Sequence, residues 1–257
     1  MTDRRQRQKE QRAARLEEER KAATRKEFRR RIVIAFGIGL GLVAVLVLIT
    51  VLGNRPTTLP ASYQAFRDLP TACGAEAPPE VEIMSFLEPE DQGLGSEPVT
   101  ATINTSCGPI VIALDPALAP ATVNSFVFLA RGEFYDGSVF HRIAPEFVIQ
   151  GGDPEATGTG GPGYVVPDEF PPDDFIYEEG VVAMANAGGG TTGSQFFVVV
   201  GDNARVLNNT FNVLGRVVSG QETLDAIEAV PTTVAPGTNE RSRPLEAVYI
   251  ESVDIGE

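Results

Sequence analysis

The chain has 257 residues, with 21 Lys+Arg against 35 Asp+Glu, a formal net charge of −14, two Cys, one His and no Trp. That acidity argues against non-specific nucleic-acid binding by the main body. Two thiols are too few for a disulfide scaffold or a thiolate cluster, and one imidazole excludes a metal centre built on several histidines.

The average charge hides an asymmetry. Residues 1–31 carry 13 Lys+Arg and 6 Asp+Glu, whereas the rest carry 8 Arg, no Lys and 29 Asp+Glu, a net of −21. The basic head has strong helix propensity but no continuous apolar stripe. Its charges either attract anionic headgroups or serve only to fix topology.

Ile32 to Gly53 is a run of 22 residues without a charge. As a helix it spans a hydrocarbon core of roughly 30 Å. Arg29-Arg30-Arg31 stands directly before it, and only Arg55 and Arg67 follow closely. The positive-inside rule then predicts a transmembrane helix over 32–53, residues 1–31 in the cytoplasm and residues 54–257 outside. A cleaved signal peptide fits less well, because the head and the apolar run are both long and no small-x-small site ends the run. A buried core helix leaves the flanking charge bias without a reason.

Residues 54–98 hold seven prolines and a cluster of acidic residues from Glu76 to Asp91. They read as a spacer. Cys73 lies in it and Cys107 in the folded region beyond. An oxidising exterior permits a Cys73–Cys107 disulfide, with two idle thiols as the alternative.

Residues 99–257 are dominated by short β-branched and aromatic runs. These are Val99–Thr105, Ile110–Leu114, Phe147–Gln150, Val181–Ala185, Phe196–Val200, Phe211–Val217 and Ala247–Val253. Several alternate as half-buried antiparallel strands do. Two helices are predicted. One covers Ala121–Arg131 behind Pro120, and the other follows a Ser219-x-x-Glu222 capping box with Leu224, Ile227 and Val230 on one face. Many strands with two helices point to a mainly β domain, a closed barrel capped by helices.

Familiar catalytic patterns are missing. No GxxxxGK[ST] is present and no Lys follows Lys26, so the glycines of 188–193 do not form a P-loop. Ser194 is not in a GxSxG elbow, and His141 is the sole imidazole. The acidic pairs Asp168-Glu169 and Asp173-Asp174 lack EF-hand spacing and read as solvated turns. Arg142 is unusual, a rare cation flanked by Phe140 and Ile143, although an exposed or ion-paired arginine explains it equally well.

Phe140-His141-Arg142, Gln150-Gly151-Gly152-Asp153, Met184-Ala185-Asn186 and Gly193-Ser194-Gln195-Phe196-Phe197 together resemble the cyclophilin family of peptidyl-prolyl cis/trans isomerases. The resemblance runs over about residues 99–255. It implies an eight-stranded antiparallel barrel closed by two helices, an activity without cofactor or metal, and proline-containing polypeptides as partners. It also implies Arg142, with Gln150 and Phe197, as the catalytic set. Phe147, Val148, Ala185, Asn186, Gln195, Leu207 and Phe211 would bind substrate, Asn186 through its backbone carbonyl. His141 is expected to be structural. Val206 stands where many members have Trp, so strong inhibition by cyclosporin is not implied, and Phe211 replaces a common polar rim residue. With the membrane helix, the expectation is an isomerase of exported or cell-surface proteins. The alternative is a membrane-tethered proline-peptide binding module with little catalytic role.

Overall fold

The computed structural model describes residues 60–80 and 83–256. The basic head, the predicted membrane helix over 32–53 and the start of the proline-rich segment lie outside the described residues. No helix among the described residues is long and apolar enough to cross a membrane.

Ten strands form among the described residues, in chain order. They are β1 (Val99–Thr105), β2 (Gly108–Leu114), β3 (Arg142–Ala144), β4 (Val148–Gly151), β5 (Val181–Met184), β6 (Phe196–Val199), β7 (Val213–Ser219), β8 (Thr232–Val234), β9 (Arg241–Pro244) and β10 (Ile250–Ile255). Eight of them make one antiparallel sheet in the order β10-β1-β2-β7-β5-β6-β4-β3, while β8 and β9 form a separate hairpin. The seven predicted runs correspond to β1, β2, β4, β5, β6, β7 and β10. The three missed strands have only three or four residues, too few for an alternation to show.

The predicted closed barrel is corrected to an open half-barrel. The edge strands β10 and β3 share no ladder. The β3 ladder with β4 begins only at Arg142. Instead the residues leading into it join the two edges, with Gly137 N–H donating to Ile250 O, Ile250 N–H to Ser138 O and Phe140 N–H to Val248 O, at 2.7–2.9 Å.

Both predicted helices form, as α2 (Pro120–Arg131) and α3 (Gln221–Glu228). α2 turns Val123, Phe126, Val127 and Ala130 into the core, at the spacing of one helical face. Its N-terminus has no capping side chain of its own. The carboxylate of Glu169 fills that place, accepting from the N–H groups of Ala121 and Thr122 at 3.0 and 2.8 Å and from Thr122 Oγ1 at 2.7 Å.

The capping box expected at Ser219 does not form. Ser219 still pairs with Val111 in the β2–β7 ladder, and Gly220 is the N-cap, with φ of 103° and no side-chain bond. A Cβ there would stand 2.4 Å from Pro109 O, so the chain can turn from strand to helix only at a glycine.

The segment read as a spacer departs most from expectation. From Ala61 it packs on the domain. Helix α1 (Ala61–Arg67) buries Tyr63 and Phe66 against Val139, Ala156, Ala247 and Tyr249. Each such aromatic contributes about 1.5–3 kcal/mol relative to exposure. Cys73 and Cys107 are joined in a disulfide. Further on, the ring of Phe86 meets Phe128 edge-on at 5.1 Å. Frequent prolines gave the segment no periodicity, yet its few aromatics are what the domain covers.

Candidate active site

The pleat divides β4, β5 and β6 into two apolar faces. Ile149, Val182, Met184, Phe196 and Val198 point into the main core with α2. Val148, Val181, Ala183, Phe197 and Val199 point the other way and form a second cluster. The dipeptide Phe196-Phe197 therefore serves both. Phe196 packs edge-on against Phe126 and Tyr135, and Phe197 lies on the far face.

That far face carries a row in register. Arg142 on β3 stands opposite Gln150 on β4, Gln150 opposite Phe197 on β6, and Phe197 opposite Ala183 on β5. At about 4.8 Å per strand the row is roughly 14 Å long. One end is cationic and polar, and the other is apolar.

At the polar end a chain of amides fixes the guanidinium. Arg142 Nη1 donates to Gln150 Oε1 at 3.2 Å, Gln150 Nε2 donates to Gln195 Oε1 at 2.9 Å, and Gln195 Nε2 donates to Gly160 O at 2.9 Å. Gly160 belongs to a loop wound around the buried Asp153. That carboxylate accepts from the N–H groups of Glu155, Thr157, Gly158 and Gly160 at 2.6–3.1 Å. Gly152, with φ of 79°, lets the chain enter this loop, since a Cβ there would lie 2.5 Å from Ser194 O. The Phe147 ring supports the guanidinium at 5.3 Å in a cation–π arrangement.

Arg142 has one more partner. Glu240, between β8 and β9, accepts from its Nε at 2.8 Å and its Nη2 at 2.7 Å. These bonds hold the Glu240 carboxyl below its usual range. Among the described residues three of the five guanidinium N–H groups are thus engaged, leaving one on Nη1 and one on Nη2.

At the apolar end Phe147, Ala185, Leu207 and Phe211 pack half-buried on the second cluster. Phe211 meets Phe197 edge-on at 5.5 Å. It is held by Tyr177, whose hydroxyl donates to Phe211 O at 2.8 Å. Burial pushes that hydroxyl up to about 12, so it remains a donor. Val206 is 83% exposed and closes nothing. Asn186 uses its side chain to tie loops, donating to Thr210 O at 2.7 Å and accepting from Gly188 N–H at 3.1 Å.

Beside Gln150 and Gln195 opens a cleft of about 810 Å³, bounded in part by Ile83, Met84, Glu155 and Asn186. Ser194 donates to Gly152 O at 2.7 Å, and neither buried ring nitrogen of His141 has a partner among the described residues. No nucleophile–base pair therefore forms at Ser194. The arrangement suits a reaction that needs a cationic donor beside an apolar wall.

The row and the second cluster bring Arg142, Phe147, Val148, Gln150, Ala185, Gln195, Phe197, Leu207 and Phe211 together, and Asn186 lines the adjoining cleft; the two cysteines, predicted on separate grounds, lie away from it at the β1–β2 turn and in the N-terminal segment. Sequence reasoning missed Glu240, Tyr177 and the cleft residues Ile83 and Met84. Glu240 is 98 positions from its partner and carries no local signal.

Comparison with known proteins gives one family. Residues 100–255 match the model for cyclophilin type peptidyl-prolyl cis-trans isomerases. The chain is 44% identical to peptidyl-prolyl cis-trans isomerase A of Mycobacterium tuberculosis, over 61% of its own length and 91% of that protein's. It is 45% identical to peptidyl-prolyl cis-trans isomerase B of Streptomyces anulatus, over 62% and 98%. Among solved structures it is similar to a cyclophilin type peptidyl-prolyl cis-trans isomerase of Cryptosporidium parvum, also crystallised in the presence of the dipeptide Ala-Pro. In that dipeptide form the TM-score is 0.55 and the identity 29%, covering 62% of this chain and 99% of the other.

Proposed function

The chain belongs to the cyclophilin type peptidyl-prolyl cis-trans isomerases, and from that premise we propose that Arg142 is the donor that speeds rotation about X-Pro bonds of exported or cell-surface proteins, from a domain held outside the membrane by the 32–53 helix.

Amide resonance sets a barrier of about 18–20 kcal/mol, and no bond need be cut to cross it. As the X-Pro amide twists, the proline nitrogen loses conjugation and gains a localised lone pair. An N–H aimed at that nitrogen stabilises the twisted state more than either planar one, which is differential transition-state binding. The free N–H groups on Nη1 and Nη2 of Arg142 are available for this, and the guanidinium stays charged. The apolar cluster of Val148, Phe197, Leu207 and Phe211 is suited to hold the proline ring while the preceding carbonyl turns. The observation that carries the mechanism is the register row, which sets this guanidinium and this wall on one face of one sheet.

Two features support the location. Eight Arg, no Lys and 29 acidic residues follow a basic head and an uncharged run of 22. The Cys73–Cys107 bond belongs to an oxidising compartment.

The test is prolyl exchange in an Ala-Pro peptide, followed by NMR exchange spectroscopy with the full-length protein and with Arg142→Ala. Loss of at least about 100-fold in kcat with folding intact is expected. Turnover by the variant near the wild-type rate would remove Arg142 from the mechanism.

A further inference from the structure

The partner of Arg142 outside the sheet is the informative one. Glu240 reaches the guanidinium from between β8 and β9, and its side chain is 40% exposed against 27% for Arg142. The carboxylate therefore stands at the mouth of the site, with lone pairs left over after it has accepted two bonds. It cancels the one cation of the register row. The cleft on the other side of Gln150 adds Glu155 as the sole charged residue of its lining. Glu240 and Glu155 thus place a carboxylate on either side of the polar end of the row.

From this geometry we infer that Glu240 sets substrate preference: it favours X-Pro bonds preceded by Lys or Arg and disfavours those preceded by Asp or Glu. This rests on the reading of Arg142 as the donor to the rotating amide. The residue before proline owns the carbonyl that turns, so its side chain is the one carried nearest to Arg142 and its paired carboxylate. A cationic side chain there gains the outward lone pairs of a carboxylate already shared with Arg142, and an anionic one meets like charge, both in a half-exposed, salt-sensitive setting. The surrounding surface acts in the same direction, since the chain after residue 53 is strongly acidic and draws basic segments toward it.

A role in merely holding Arg142 makes a different prediction. Such a residue changes all substrates by one factor, whereas a charge at the rim changes them according to their own charge.

The experiment uses three peptides that differ only in a Lys, Ala or Glu before one proline. Catalysed exchange, relative to each peptide's uncatalysed rate, is measured with the full-length protein and with Glu240→Gln, which keeps the shape and one acceptor. The wild type should rank Lys over Ala over Glu, with about tenfold between the extremes at low salt, shrinking as ionic strength rises. E240Q should compress the range to within about twofold. An unchanged range in E240Q, or an equal factor on all three peptides, overturns the inference. The dissociation constants of the same peptides, read by chemical-shift titration, separate the two readings. If the range of affinities collapses in E240Q while Arg142→Ala still turns over, the mechanism fails and the charge preference stands.

Discussion

Arg142 and Gln150 face each other directly across β3 and β4, and Gln150 Oε1 accepts from Arg142 Nη1 at 3.2 Å. The same amide donates its nitrogen to Gln195, so its two ends are committed to different partners and its orientation is fixed. Gln150 aims the guanidinium through the sheet, while Glu240 restrains it from outside the sheet.

Gln150→Leu keeps the strand and removes both bonds. Arg142 loses its in-plane acceptor, and Gln195 Oε1 loses a donor. The expected result is a fall of about 10- to 100-fold in kcat with KM nearly unchanged, because misaiming the donor weakens the twisted state more than ground-state binding. Steady-state exchange rates across peptide concentrations test the split. A rise in KM at constant kcat would instead make Gln150 a simple binding residue.

The legible part of this molecule was the part written in short-range pattern. β1 and β2 each alternate buried and half-exposed residues, and α2 shows a one-sided apolar face. What failed was non-local. β3 is three residues of a ladder defined by β4, and β9 reads Arg-Ser-Arg-Pro, which carries no strand signal alone. The Ser219 box met its sequence rule, but the β2–β7 ladder claimed Ser219 first. Tyr63 and Phe66 were hidden among prolines. In the site, the motifs supplied Arg142, Gln150, Phe197 and their neighbours through family likeness, and register then placed them in one row. Glu240 was beyond reach because its role depends on where a hairpin folds, not on its neighbours in sequence.

The Cys73–Cys107 bond closes a segment of sequence separation 34 and pins the N-terminal segment to the β1–β2 turn. In the chain-entropy view, removing it costs about 3–4 kcal/mol. The double variant Cys73→Ala/Cys107→Ala should therefore unfold at lower urea, while its exchange activity below the transition stays near wild type, since β1 and β2 lie outside the register row. An unshifted urea midpoint would mean that the packing of α1 alone secures the segment.

Glu169 stands in for a cap that the sequence of α2 lacks. Glu169→Ala strands the N–H groups of Ala121 and Thr122 and leaves the proton of the buried Thr122 hydroxyl without an acceptor, although its oxygen still accepts from Asn212 Nδ2. A loss of about 1–3 kcal/mol is expected from urea unfolding. Glu169→Gln keeps one acceptor oxygen, which turned toward Thr122 retains both of its bonds; it gives up the charge at the positive helix end and leaves the Ala121 N–H facing an amide NH2, so it should cost less than Glu169→Ala. Equal losses in both variants would assign the effect to charge rather than to the hydrogen bonds.

His141 gives the domain a pH dependence whose sign follows from its surroundings. Burial is the main cause that lowers its pKa to about 4; the Asp153 carboxylate opposes the shift, and the neighbouring Arg142 adds to it. The ring is thus neutral in the folded protein at pH 6, where an unfolded His, near 6.5, is largely protonated. Between about pH 6.5 and 4 the unfolded state binds the extra proton, so stability falls with falling pH by at most about 1.4 kcal/mol per unit from this group. Above that window the contribution is complete and flat. Both ring nitrogens are buried without a partner among the described residues, so His141→Phe removes the titration without stranding a hydrogen bond. Urea unfolding from pH 7 to pH 4 should show the wild type losing stability faster than H141F across the window, with the difference smallest at pH 7. Parallel curves would mean that the imidazole takes up its proton in the folded state, and that the neutral ring described here does not persist into acid.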